Sequence, residues 1–150
     1  LFDEPDLEFL GLSLWVEGLE RDVLGYGSQD DSSSDPWGNG MLWVRAVMKA
    51  QGAHVEWAGP LHAKMDIENL RSGLVAIMEN IEGEVMMDPV EPWINLKFAM
   101  KGHGHLEATV EIMPDYQNQL HRFVLEADQS YIPPLISSCN RILARYPRGD

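Results

Sequence analysis

Apolar and polar residues alternate in several stretches of the chain, and these stretches fix most of its secondary structure. Leu10, Leu12, Leu14 and Val16 alternate with Gly11, Ser13 and Trp15, the period-two signature of a half-buried strand. A hairpin is predicted around Gln51-Gly52. Taken as a two-residue turn, that pair sets Ala50 against Ala53, Met48 against Val55 and Ala46 against Trp57, all on one face. The other face carries Arg45, Val47 and Lys49 against His54, Glu56 and Ala58, with Glu56 diagonal to both cations. A second hairpin turns at Gly102-His103-Gly104. It opposes Ile94 to Ile112, Leu96 to Val110, Phe98 to Ala108 and Met100 to Leu106. Its outer face sets Asn95, Lys97, Ala99 and Lys101 against His105, Glu107, Thr109 and Glu111, and places Lys97 diagonal to Glu107 and Glu111. A further strand over about His121 to Ala127 offers Phe123, Leu125 and Ala127 to the same core.

Two segments change period from two to about 3.6. Asp66 is placed to cap a helix whose stripe is Ile67, Leu70, Leu74, Ile77, Met78 and Ile81, with Gly83 as the stop. Ser130 is placed to cap a second helix that tolerates Pro133 and Pro134 in its first turn and buries Ile132, Leu135, Ile136, Cys139, Ile142, Leu143 and Tyr146. The order of strands, helix, strands, helix predicts one α+β domain over residues 1–150. It has an antiparallel sheet of about five to seven strands, two helices packed against it, and a long acidic loop at about 25–40. A chain of 150 residues buries about 68–70% of its unfolded surface and needs no metal or disulfide to fold.

Charge narrows the classes of function. The formal net charge is −13, and the first forty residues hold ten acids against the single base Arg21. Nucleic acid and anionic lipid both require a positive face, so neither is the expected partner. The single cysteine, Cys139, suits a reducing cytoplasm and lies in an apolar helical stripe, where a structural thiol is expected. No apolar run approaches the ~20 residues of a membrane span. The chain opens on Leu1 rather than methionine, which leaves room for an upstream segment.

Few residues suggest chemistry. His103 and His105, with Glu107 next on the same face as His105, form the best metal-ligand spacing, but the sequence supplies no third ligand beyond doubt and the turn alone explains Gly102 and Gly104. Asp30, Asp31 and Asp35 do not fit a calcium-loop spacing, and the loop has no apolar wall to tune a carboxylate for acid–base work. There is no phosphate-binding glycine loop, nucleophile elbow or zincin helix. Trp57 belongs to the core, Trp15 and Trp43 fall out of phase with the apolar faces of their strands, and Trp37 sits in the acidic loop.

The strand "LSLWVEG", the hairpin "NGMLWVRAVMKAQGAHVEW", the helix "MDIENLRSGLVAIMENIEG", the hairpin "EPWINLKFAMKGHGHLEATVEI" and a last helix closing on "RYP" resemble, in order and apolar positions, the WapI-type immunity proteins. The resemblance covers nearly the whole chain. It implies a non-enzymatic bacterial protein that neutralises a cognate toxin domain, some such toxins being nucleases, with no catalytic residues and no cofactor. Nuclease domains are basic, so a carboxylate surface is the expected complement. The expected partner-binding residues are Asp30, Asp31, Asp35 and Trp37 in the loop, and Glu107 and Glu111 on the second hairpin. Two other classes stay open: a small metal-dependent hydrolase using the His103/His105 hairpin, and a structural or oligomerisation module whose outward aromatics form a subunit interface.

Overall fold

The computed structural model describes residues 4–19, 23, 25, 41–61 and 63–146. The first sheet is a meander of β1 (Leu7–Phe9), β2 (Leu12–Leu19), β3 (Leu42–Ala50) and β4 (Ala53–Leu61), paired in that order, and helix α1 (Ala63–Asn80) follows. The pattern then repeats with β5 (Gly83–Met87), β6 (Ile94–Met100), β7 (His105–Ile112) and β8 (His121–Asp128), followed by α2 (Ile132–Arg145). The fold is therefore α+β with two helices, but its strands form two antiparallel four-stranded sheets, where the sequence predicted one sheet of five to seven strands. Alternation marks the face of a strand without saying which sheet receives it.

Both hairpin registers stand as the apolar pattern sets them: Ala50↔Ala53, Met48↔Val55 and Ala46↔Trp57 in the first, Phe98↔Ala108 and Met100↔Leu106 in the second. Ala46, Met48, Val55, Trp57, Leu96, Phe98, Ala108 and Val110 are all buried. At the second turn the Lys101 amide donates to the His105 carbonyl at 2.7 Å, and His103 itself takes a left-handed backbone (φ 62°). Strand β8 runs one residue further than expected, to Asp128.

The ends of the helices differ from the sequence reading. Helix α1 begins at Ala63, so Asp66 lies in its first turn instead of capping it. The left-handed residue just beyond α1 is Ile81 (φ 56°), and Gly83 opens the unforeseen strand β5. Met78 and Ile81, placed on the buried stripe by period, are exposed. Before α2, Asp128 takes the capping role: its carboxylate accepts from the Ser130 amide and hydroxyl and starts a 3-10 turn at Gln129–Tyr131.

One cluster of buried side chains joins both sheets and both helices. Phe9 of β1 meets Phe98 of β6 edge to face with centroids 5.2 Å apart, which locks the inner faces of the two sheets together. Leu14, Val44 and Leu61 of the first sheet converge with Ile67 and Leu70 of α1, Met87 of β5 and Ile142 of α2 on a single apolar pocket. Close approaches at Gly11 and Gly73 leave no room for a side chain. A β-carbon on Gly11 would lie 1.9 Å from the Lys49 carbonyl oxygen, and one on Gly73 of α1 would lie 2.0 Å from a Val85 methyl of β5.

Cys139 is buried in α2, and burial pushes its thiol up to about 11. It is expected to resist a thiol reagent in the native state at pH 8 and to label fully once the protein is unfolded. The sign follows from the neutral thiol being the favoured native form. Its contribution to stability is complete below the ordinary 9.0 and is lost as pH rises through about 11. Rapid native labelling would contradict the packing of α2.

Candidate functional site

The inner faces are spent on the core, so the side chains available for recognition stand on the outward faces and in the turns. On the first sheet, the Arg45 guanidinium lies 4.2 Å from the Trp15 ring centroid and its Nε donates to Glu17 at 3.0 Å. Trp15 and Trp43 are half-buried there, as their phase requires, while Trp57 is buried and stacks on Trp93 with centroids 6.2 Å apart. Glu56 pairs with neighbouring His54 at 2.8 Å, not with the cations Arg45 and Lys49 diagonal to it.

On the second sheet the register lays out rows of outward side chains. Glu84 of β5, Ala99 of β6, Glu107 of β7 and Glu126 of β8 lie in one row. The next row is Met86, Lys97, Thr109 and Val124, and the third is Asn95, Glu111 and Arg122. Glu107 and Glu126 are thus directly opposed on adjacent strands, an arrangement that like charges disfavour. The basic side chains of this face distribute themselves among its carboxylates. Lys97 lies 3.3 Å from Glu84, not on Glu107 or Glu111 as the hairpin alone suggests, because β5 brings a nearer carboxylate that the sequence reading did not place. Arg122 lies 3.9 Å from Glu111, and His105 Nε2 lies 3.7 Å from Glu126.

Of the six expected partner-binding residues, Glu107 and Glu111 therefore share one outward face, four residues apart on β7, and that face also gathers Glu84 and Glu126, which the sequence reading missed. Their signal is readable only once β5 and β8 are paired with their neighbours. Asp30, Asp31, Asp35 and Trp37 lie outside the described residues.

His103 is exposed at the tip of its turn. Among the described residues, no group of three or more His, Cys, Asp or Glu side chains is close enough to hold a metal ion, so the pair His103/His105 gains no third ligand. An open cleft between the β1–β2 turn and α2 is lined by Phe9, Leu10, Tyr131, Pro134, Ser138 and Arg141 among others. Glu8 and Arg141 are its only charged groups among the described residues, and it holds no histidine, cysteine or second carboxylate with which a nucleophile–base or acid–base pair could form. Two carboxylates, Asp115 and Asp128, are held below the ordinary 3.8 by hydrogen bonds, from the Asn118 side chain and from Ser130 respectively, and both serve turns instead of lining a cleft. Among the described residues, no helix is long and apolar enough to cross a membrane.

The paired meanders and the carboxylate-rich outward face define an acidic α+β protein. The chain belongs to the immunity protein WapI-like family, whose model matches residues 10–147. An immunity role in general follows from that membership. No curated protein and no solved structure matches the chain.

Proposed function

We propose that the protein is a non-enzymatic immunity protein that binds a cognate toxin domain, a basic nuclease being the class that fits best, through its carboxylates. The observation that carries this reading is the outward row Glu84, Glu107 and Glu126, with Glu111 on the same face two rows away, on a chain of net charge −13. A sheet that sets Glu107 against Glu126 gives up stability at that point, and a basic partner would recover it by neutralising both. Asp30, Asp31 and Asp35 would extend the same sign of field, and Trp37 would supply an apolar anchor. The protein acts in the cytoplasm of the cell it protects, needs no cofactor and does not engage nucleic acid itself.

The test is the association kinetics of the purified protein with a candidate cognate toxin domain. Steering by the carboxylates is expected to raise the association rate by roughly 10- to 1,000-fold at low salt. A variant with Asp30, Asp31, Asp35, Glu107 and Glu111 all changed to Asn or Gln should associate more slowly and with a flatter salt dependence, and should fold as before, since the long ion pair it removes among the described residues, Arg122 to Glu111, contributes little to stability. Trp37→Ala should instead shorten the lifetime of the complex, by on the order of 2 kcal/mol if the ring fills a pocket. Unaltered kinetics in both variants would place recognition elsewhere.

A further inference from the structure

Three of the four sheet edges are blunted. Strand β1 has only three residues, β4 carries Gly59 and Pro60 near its end, and β5 packs against α1, close enough that Gly73 admits no β-carbon beside Val85. Among the described residues, strand β8 has none of these protections. It is eight residues long, free of proline and paired with β7 in unbroken register from His121 to Asp128. Its inward residues Phe123 and Leu125 are only half-buried, whereas their register partners Val110 and Ala108 on β7 are buried. On its outward side Val124 is 56% exposed. A regular edge of this kind presents unsatisfied backbone donors and acceptors to another strand.

We infer that β8 pairs antiparallel with β8 of a second copy of this chain, joining two four-stranded sheets into one of eight strands. The sequence of the strand selects this partner and its register, because side chains directly opposed on adjacent strands share a face. With the two-fold axis at Val124, the valines of the two copies meet and Arg122 of each copy faces Glu126 of the other, twice. On the inner face, Phe123 of each copy faces Leu125 of the other and covers the apolar surface that β8 leaves half-exposed. A slip of two residues sets Val124 against a carboxylate or against Arg122. A slip of one turns the apolar side chains to the wrong face. The pairing also removes a defect within one copy: Glu126, opposed to Glu107 on one side, gains a cation on the other. Arg122 can serve it, since its contact with Glu111 is long at 3.9 Å and its side chain is well exposed. This inference does not rest on the immunity reading.

Sedimentation of the full chain at micromolar concentration decides it. The native protein is expected at twice the mass of one chain. R122E and E126R each bring like charges together on both sides of the axis and should weaken the dimer by more than about tenfold. The double variant R122E/E126R restores opposite charges and should restore the dimer, an outcome that general damage to the fold cannot produce. Directly opposed α-carbons in an antiparallel pair lie about 4.5–5.5 Å apart, within disulfide reach. V124C, oxidised natively, should therefore link two copies covalently, with Cys139 too buried to compete. A native protein that sediments as one chain at every concentration would overturn the inference. So would a dimer that is indifferent to R122E and E126R, or a V124C variant that does not cross-link.

Discussion

Phe98→Ala is expected to destabilise the protein by about 3–5 kcal/mol, a large share of the roughly 5–15 kcal/mol that holds a domain of this size folded. The ring is 1% exposed, sits between Val85 and Ala108 in the second sheet, and meets Phe9 of the first sheet edge to face. Truncation leaves a cavity where the two sheets touch, bounded by strands whose ladders keep them from collapsing into it. Urea unfolding measures the effect as a fall in midpoint at constant slope. Phe9→Ala and the double variant complete a cycle whose coupling should be about 0.5–1.5 kcal/mol beyond lost area. A loss under about 1 kcal/mol for Phe98→Ala would mean that the inner faces do not meet at that ring.

Gly11→Ala should produce the second largest loss, about 3 kcal/mol, at the upper end of ordinary overpacking, because the obstacle is backbone instead of a side chain that can rotate away. The added methyl would lie 1.9 Å from the Lys49 carbonyl oxygen, and the same turn receives a 2.9 Å hydrogen bond from the Lys49 amide to the Gly11 carbonyl. Relief of the clash moves β3 or breaks that bond. Gly102→Ala is the control: nothing lies within 4 Å of the added carbon, so the midpoint should barely move. Equal midpoints for the two variants would show that the β1–β2 turn has freedom that its contacts deny it.

The hairpins were legible in the sequence because a tight turn fixes register and alternation then checks it residue by residue: Gln51-Gly52 and Gly102-His103-Gly104 each brought four or more apolar side chains onto one face. Strand β5 was not legible. Gly83 follows the apolar stripe of α1 directly and reads as the end of the helix, and Val85 and Met87 are too few to establish a period of two. Without β5, Lys97 had no visible partner but Glu107 and Glu111, and the second sheet could not be told from an extension of the first. The capping side chain ahead of α2 lies two residues earlier than the sequence predicts, at the start of the 3-10 turn that leads into the helix, since Asp128 and Ser130 are both good capping residues and only the end of β8 decides between them. For the candidate site, Glu107 and Glu111 were legible as an outward pair, but the row that gives them company depends on strands β5 and β8, which no local pattern ties to β7.

Among the described residues, every ladder joins strands that are consecutive in the sequence, and none runs between the two sheets. The described backbone is therefore hydrogen-bonded within halves, and the halves are held to one another by side-chain packing, by the Arg145–Asp6 ion pair at 2.8 Å and by the passage of chain from α1 into β5. A cut at Ile81 or Glu82 would sever no strand pairing. Each fragment would keep its whole meander and its helix, and would expose an apolar face fitted to the other. Two such fragments, mixed, are in the position of separate proteins with a complementary interface, and their recombination would report the strength of the packing between the sheets free of the chain that joins them.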